Sequence, residues 1–214
     1  MSRSIRFCLA IVLAWGIWSG VVESALARVP LQGIRTGLPV LVLRDYRIEG
    51  RRVAILAGDW YYCYPPTGDV ILVPRGYMTG FASIPGWADR IVDRMGNSMD
   101  GAVVHDWLYA VGEPGKKSYA DDVLRYALME QHVDVVTRNA MYQAVGIGGG
   151  AAYGSPTEWS RRFGDPDTGT PVTAPPFKKR ATAIVTRLDS CNALERDTTI
   201  RWLKRNFRSA DWAK

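Results

Sequence analysis

The sequence predicts an α+β domain: a small antiparallel sheet packed on a helical hairpin and a third helix, with a basic C-terminal extension. Three observations predict it. Residues 38–84 carry short apolar runs separated by turn residues, as antiparallel strands do. Residues 86–153 carry helical patterning with capping residues at its breaks. Residues 154–180 then hold five prolines and several glycines, which ends regular structure before a basic tail begins.

Taken in order, residues 1–27 read as a cleavable signal peptide. Arg3 and Arg6 give a basic start, Phe7 through Trp18 form an apolar run, and Ala25-Leu26-Ala27 is a small-residue cut site before Arg28. An uncleaved anchor is the alternative, but the run is shorter than the ~20 residues a span needs. The mature chain is therefore expected to be periplasmic or secreted. Its 187 residues suffice for one core domain over 28–153, burying roughly 70% of the surface an unfolded chain exposes.

Strand signals begin at Val40 to Leu43, resume at Arg52 to Leu56 and Asp59-Trp60-Tyr61-Tyr62, and end at Val70 to Val73. Gly50, Pro65-Pro66-Thr67-Gly68 and Gly76 punctuate them, and aromatic and β-branched residues fill them. The first helix is expected over about 98–111, capped by Ser98. The second is capped by Ser118, with Asp121 and Asp122 in its first turn, where acids suit the helix dipole. The third begins near Val135 and carries Met141, Tyr142 and Val145.

Residues 154–180 read as a linker and 181–214 as a basic C-terminal segment. Between 178 and 214 there are ten Lys and Arg against four Asp and Glu, a surplus of six that equals the +6 of the whole chain. The rest is nearly neutral, so no nucleic-acid partner is expected. Ile200, Leu203, Phe207 and Ala210 share a helical face flanked by Arg201, Lys204, Arg205 and Arg208. Such a helix either docks on the domain as an ordinary surface helix or meets an anionic envelope component or lipid surface.

Cys63 and Cys191 survive removal of the leader, and Cys8 does not. An oxidising compartment allows a disulfide between them; two separate buried thiols are equally compatible. They cannot make a four-ligand zinc site alone.

The chemistry-bearing pattern is His105-Asp106-Trp107-Leu108-Tyr109. His105 and Tyr109 lie four apart on one helical face, and Asp106 is rotated ~100° from His105. A seven-residue link from Gly112 to Ser118 favours a hairpin, so that Asp121 can meet the imidazole. Such an array suits His105 as a general base with Asp121 behind it and Tyr109 as a supporting hydroxyl. Asp106 would be left to hold a cation, calcium or another divalent ion, with further oxygens from loop or water. The structural alternative is that these side chains simply pin the helices together.

The succession Thr79-Gly80-Phe81-Ala82-Ser83, then Val104-His105-Asp106-Trp107-Leu108-Tyr109, then Ala120-Asp121, then Ala140-Met141-Tyr142-Gln143-Ala144 resembles domain-of-unknown-function family 1353. The resemblance covers about residues 68–153, and that family is common in phages, prophages and bacterial genomes. It implies no established activity. The family usually carries an acid where this chain has Gly80, so either one element of a site is missing or the position only shapes a turn. The helix pair is also similar, more faintly, to the active-site helices of secreted phospholipases of the A2 type. There the histidine is the base, the next aspartate binds calcium and an aspartate of the other helix supports the histidine; these roles would fall on His105, Asp106 and Asp121. The flanking disulfides and glycine-rich calcium loop of that family are absent.

Other signals carry less. Gly146-Ile147-Gly148-Gly149-Gly150-Ala151 follows a helix rather than a strand, so it is no dinucleotide fingerprint and instead permits close packing or ends the helix. Ser83 lies outside any G-x-S-x-G and is expected to cap or turn. His132 reads as a surface or capping residue, and Trp60, Trp87 and Trp107 as core or groove wall. Two functions follow: a metal-assisted hydrolase of a cell-envelope ester or amide, or a non-catalytic envelope or phage-derived structural or interaction protein.

Overall fold

A computed structural model describes residues 40–48, 51–80, 99–155, 162–172 and 182–208. The leader reading at 1–27, Ser83, Trp87, Ser98 and Ala210 lie outside the described residues. The elements run β1 Val40–Ile48, β2 Arg51–Leu56, β3 Trp60–Tyr64, β4 Asp69–Val73, β5 Met78–Thr79, α1 Met99–Val111, α2 Lys117–Glu130, α3 Val135–Gly148, β6 Ile184–Arg187, a 3-10 turn Cys191–Glu195 and α4 Asp197–Asn206. The fold is mixed α+β, as the pattern predicts.

Where one sheet is expected, the described strands form two antiparallel sheets, ordered β1-β2-β5 and β3-β4-β6. The β3–β4 hairpin turns where Pro65 to Gly68 predict, with Gly68 at φ +72° accepting the left-handed step. Strands β3 and β4 are buried along their whole length. Alternation explains this: Trp60, Tyr62, Ile71 and Val73 face α1 and α2, while Tyr61, Cys63, Val70 and Leu72 face the C-terminal segment.

On that second face the described part of the C-terminal segment, residues 182–208, docks on the domain rather than extending from it, as the surface-helix alternative expects. Strand β6 pairs with β4, Asp69 opposite Arg187, and α4 seats Leu203, fully buried, with Ile200 and Phe207 beside it. Without this cover the outward side chains of β3 and β4 would meet water, at roughly 25 cal/mol per Å² of apolar surface. Cys63 and Cys191 form a disulfide with Cα atoms 5.6 Å apart, which fixes the 3-10 turn to β3. Residues 162–172, expected as linker, also join the core: Phe163 is buried, bridges Tyr77, and packs edge-on against the Tyr77 and Trp107 rings.

Helix α1 is buried from Gly101 through Val111, so it is apolar nearly all round and sits between the sheet and the other helices. Helix α2 starts at Lys117, one residue before the expected cap, so Asp121 falls in its second turn and no acid occupies the first. Lys116 is its N-cap residue, with no side-chain hydrogen bond to the helix. Helix α3 begins at Val135 as predicted, capped by Asp134, whose carboxylate accepts from the amides of Val136 and Thr137, both at 3.0 Å.

Candidate functional site

Because α1 is enclosed, each polar side chain on it must find a partner or cost free energy. His105 and Asp106, 1% and 4% exposed, find theirs on different sides of the helix. The short link of 112–116 folds α2 back along α1, and Gly112 at φ +59° ends α1 with its amide on the Leu108 carbonyl.

On the α2 side, the His105 Nε2 lies 3.4 Å from Asp121 Oδ1. The Tyr109 hydroxyl, one turn on, donates to the same oxygen at 2.6 Å. Lys117, one turn before Asp121 on α2, donates to Oδ2 at 2.8 Å and to the Val145 carbonyl of α3 at 2.9 Å. The rings of His105 and Tyr109 stack obliquely, with centroids 4.1 Å apart. Burial alone would raise the Asp121 carboxyl, but hydrogen bonds from His105, Lys117 and Tyr109 outweigh it and hold the group below the usual carboxylate range. Burial and the Asp121 contact push the Tyr109 phenol far up, so it stays a donor.

Thus the sequence-predicted His105, Tyr109 and Asp121 do come together. Asp106 does not join them. Its Oδ2 accepts from the Thr79 hydroxyl at 2.7 Å, on the β5 side, and its buried Oδ1 has no hydrogen-bond partner among the described residues. Among the described residues no three His, Cys, Asp or Glu side chains gather to hold a metal ion. Asp106 therefore offers one unshared oxygen and needs ligands of another kind to bind calcium.

Sequence reasoning missed two contributors, Lys117 and Thr79, and anticipated the role of a third, Gly149. Lys117 was findable, since it precedes Asp121 by four on a helix. Thr79 carried no signal, because only the β2–β5 pairing, Ala54 opposite Thr79, brings it near α1. Gly149 ends α3, and a Cβ there would collide with the Tyr109 hydroxyl, so the glycine run does permit close packing. Gly80 lacks a left-handed φ, so the turn does not demand glycine; a Cβ there would meet the Arg162 guanidinium at 3.6 Å. His132 is exposed just after α2, at φ +58°, as a surface position. Trp60 and Trp107 are fully buried core.

No curated protein and no solved structure matches the chain. Residues 54–145, which run from β2 into α3 and so contain Thr79, His105, Asp106 and Asp121, match the family model described as a protein of unknown function, DUF1353.

Proposed function

We propose that the domain is a hydrolase in which His105 is the general base and Asp121 its supporting carboxylate, acting on an ester or amide of the cell envelope. One observation carries this: Asp121 is anchored by Lys117 and Tyr109 with an oxygen turned to Nε2 of His105. A carboxylate on Nε2 keeps the proton there and leaves Nδ1 as the acceptor. That nitrogen would take a proton from water as the hydroxide adds to the carbonyl carbon. It would return the proton to the leaving oxygen or nitrogen as that bond breaks. The 3.4 Å separation suits a pair that tightens when substrate binds. Asp106 is the side chain assigned to a cation, through its unshared Oδ1. The Cys63–Cys191 disulfide supports export into an oxidising compartment, and with it the leader at 1–27. The likeness to the A2-type helix pair supports an ester substrate, although here the bridge ties β3 to the tail rather than flanking the helices.

A specific observation favours a second reading. His105 is 1% exposed, so water reaches its ring only if the site opens, and the same four side chains equally well pin three helices in a non-catalytic envelope or interaction protein. His105→Asn decides between them. If His105 is the base, hydrolysis of phospholipid or peptidoglycan fragments falls by 10²–10⁴-fold with little loss of thermal stability, and calcium raises the melting temperature of the wild type. No hydrolysis by wild type on either substrate, together with a melting point lowered by several degrees in the variant, would leave the structural reading standing.

A further inference from the structure

Helix α4 presents a surface that neither the core nor the His105 site uses. Its inward stripe, Ile200, Leu203 and Phe207, is spent on the β3–β4 sheet. What faces out is unusual for a helix already docked: Trp202 leans edge-on against Phe207, with centroids 5.5 Å apart, yet stays 41% exposed, and Arg196, Arg201, Lys204, Arg205 and Arg208 are all exposed around it. Residues 196–208 hold those five cations against one acid, Asp197. Among the described residues no ion pair holds Arg201, Lys204 or Arg205. At 100° per residue, Arg205 sits opposite Leu203's side of the helix, with Arg201 and Trp202 on its flanks.

We infer that α4 is a peripheral docking surface for an anionic phospholipid bilayer. Charge complementarity names the sign of the partner: clustered Lys and Arg at a surface attract anionic headgroups. Trp202 names its kind. An indole held out among cations fits the polar–apolar boundary of a bilayer, where its ring reaches below the phosphates that the guanidinium groups bind. A single convex helix of ten residues offers no groove and too little area for a stable interface with an acidic protein. The surface is rigid: Leu203 is fully buried and the Cys63–Cys191 bridge holds the preceding turn to β3.

The test is co-sedimentation of the full chain with vesicles of phosphatidylcholine alone or with about a third phosphatidylglycerol, at about 50 mM salt. Because the apolar run near the N-terminus would enter any bilayer, the readout is the ratio of anionic to neutral binding. Each near-surface cation contributes about fivefold to that ratio. Arg201, Lys204 and Arg205 together should therefore contribute about 100-fold to the preference for anionic vesicles, and 0.5 M salt should remove most of it. Arg201→Gln/Lys204→Gln/Arg205→Gln should lower the ratio by about that factor, leaving the share of Arg196 and Arg208, and Trp202→Ala should reduce binding by about tenfold. All four positions are exposed, so circular dichroism should show an unchanged fold. Equal ratios in wild type and triple variant would overturn the proposal. So would a Trp202→Ala variant that binds as wild type does, since the patch would then be purely electrostatic and suited to an acidic protein. Activity at His105 does not enter this readout.

Discussion

A buried carboxylate with three donors is the residue on which the α1–α2–α3 contact turns. Asp121 receives His105, Tyr109 and Lys117 at 5% exposure. Burial opposes its charge, but the three hydrogen bonds prevail and lower its titration below that of an unfolded aspartate, about 3.9. A group whose folded value is depressed adds stability that is complete above the unfolded value and disappears as pH falls through the folded one. We therefore expect Asp121→Asn to lose about 3 kcal/mol near neutrality. Its urea midpoint should also fall less steeply than wild type as pH drops below the unfolded value. Asp69, which burial would raise but hydrogen bonds from Thr67, Arg187 and Tyr119 hold low, adds an independent acid-sensitive contribution that this variant retains. The sequence made His105, Tyr109 and Asp121 legible as a set because helical spacing and a short link suffice to bring them together. It could not reveal that Asp106 turns to Thr79, since that contact depends on a two-residue strand with no periodicity of its own.

Elements are set here by where helices stop as much as by what they bury. Gly112 ends α1 at φ +59°, and an added Cβ would collide with the backbone of Gly154, whose amide donates to the Tyr109 carbonyl at 2.8 Å. Gly112→Ala should cost about 3 kcal/mol, combining a forced left-handed alanine with overpacking. Gly115, at φ +76° with open space around it, supplies the control. Gly115→Ala carries only the conformational term of about 1 kcal/mol. Thermal melting of both checks the difference; equal shifts would show that the Gly112–Gly154 contact contributes nothing. The start of α3 near Val135 was readable because what fixes it, the Asp134 cap, is local. The start of α2 was not, because Lys117 is also held by the Val145 carbonyl of α3, a contact that comes from packing.

For the whole molecule, the C-terminal segment decides whether the β3–β4 sheet has one buried face or two. The Cys63–Cys191 bridge spans 128 residues, and closing a loop of that order restrains the unfolded chain by about 4 kcal/mol. Cys63→Ser, or wild type in reductant, should lose about 3–5 kcal/mol in denaturant unfolding. Mass spectrometry of unreduced protein should find no reactive thiol at either position; two alkylated cysteines would remove the bridge. Leu203→Ala should cost about 3 kcal/mol for the cavity it leaves against Tyr61 and Leu72.

The amino-acid pattern by itself determined the α+β class, the β3–β4 turn, the start of α3 and the grouping of His105, Tyr109 and Asp121. All of these rest on interactions between residues near in the chain, or on a periodicity that local geometry enforces. Tertiary structure alone decided that the strands split into two sheets, that Phe163 and β6 belong to the core, and that Cys63 finds Cys191. Those outcomes are contacts between distant segments. Their free energy comes from burying surfaces that become complementary only once the chain has brought them face to face.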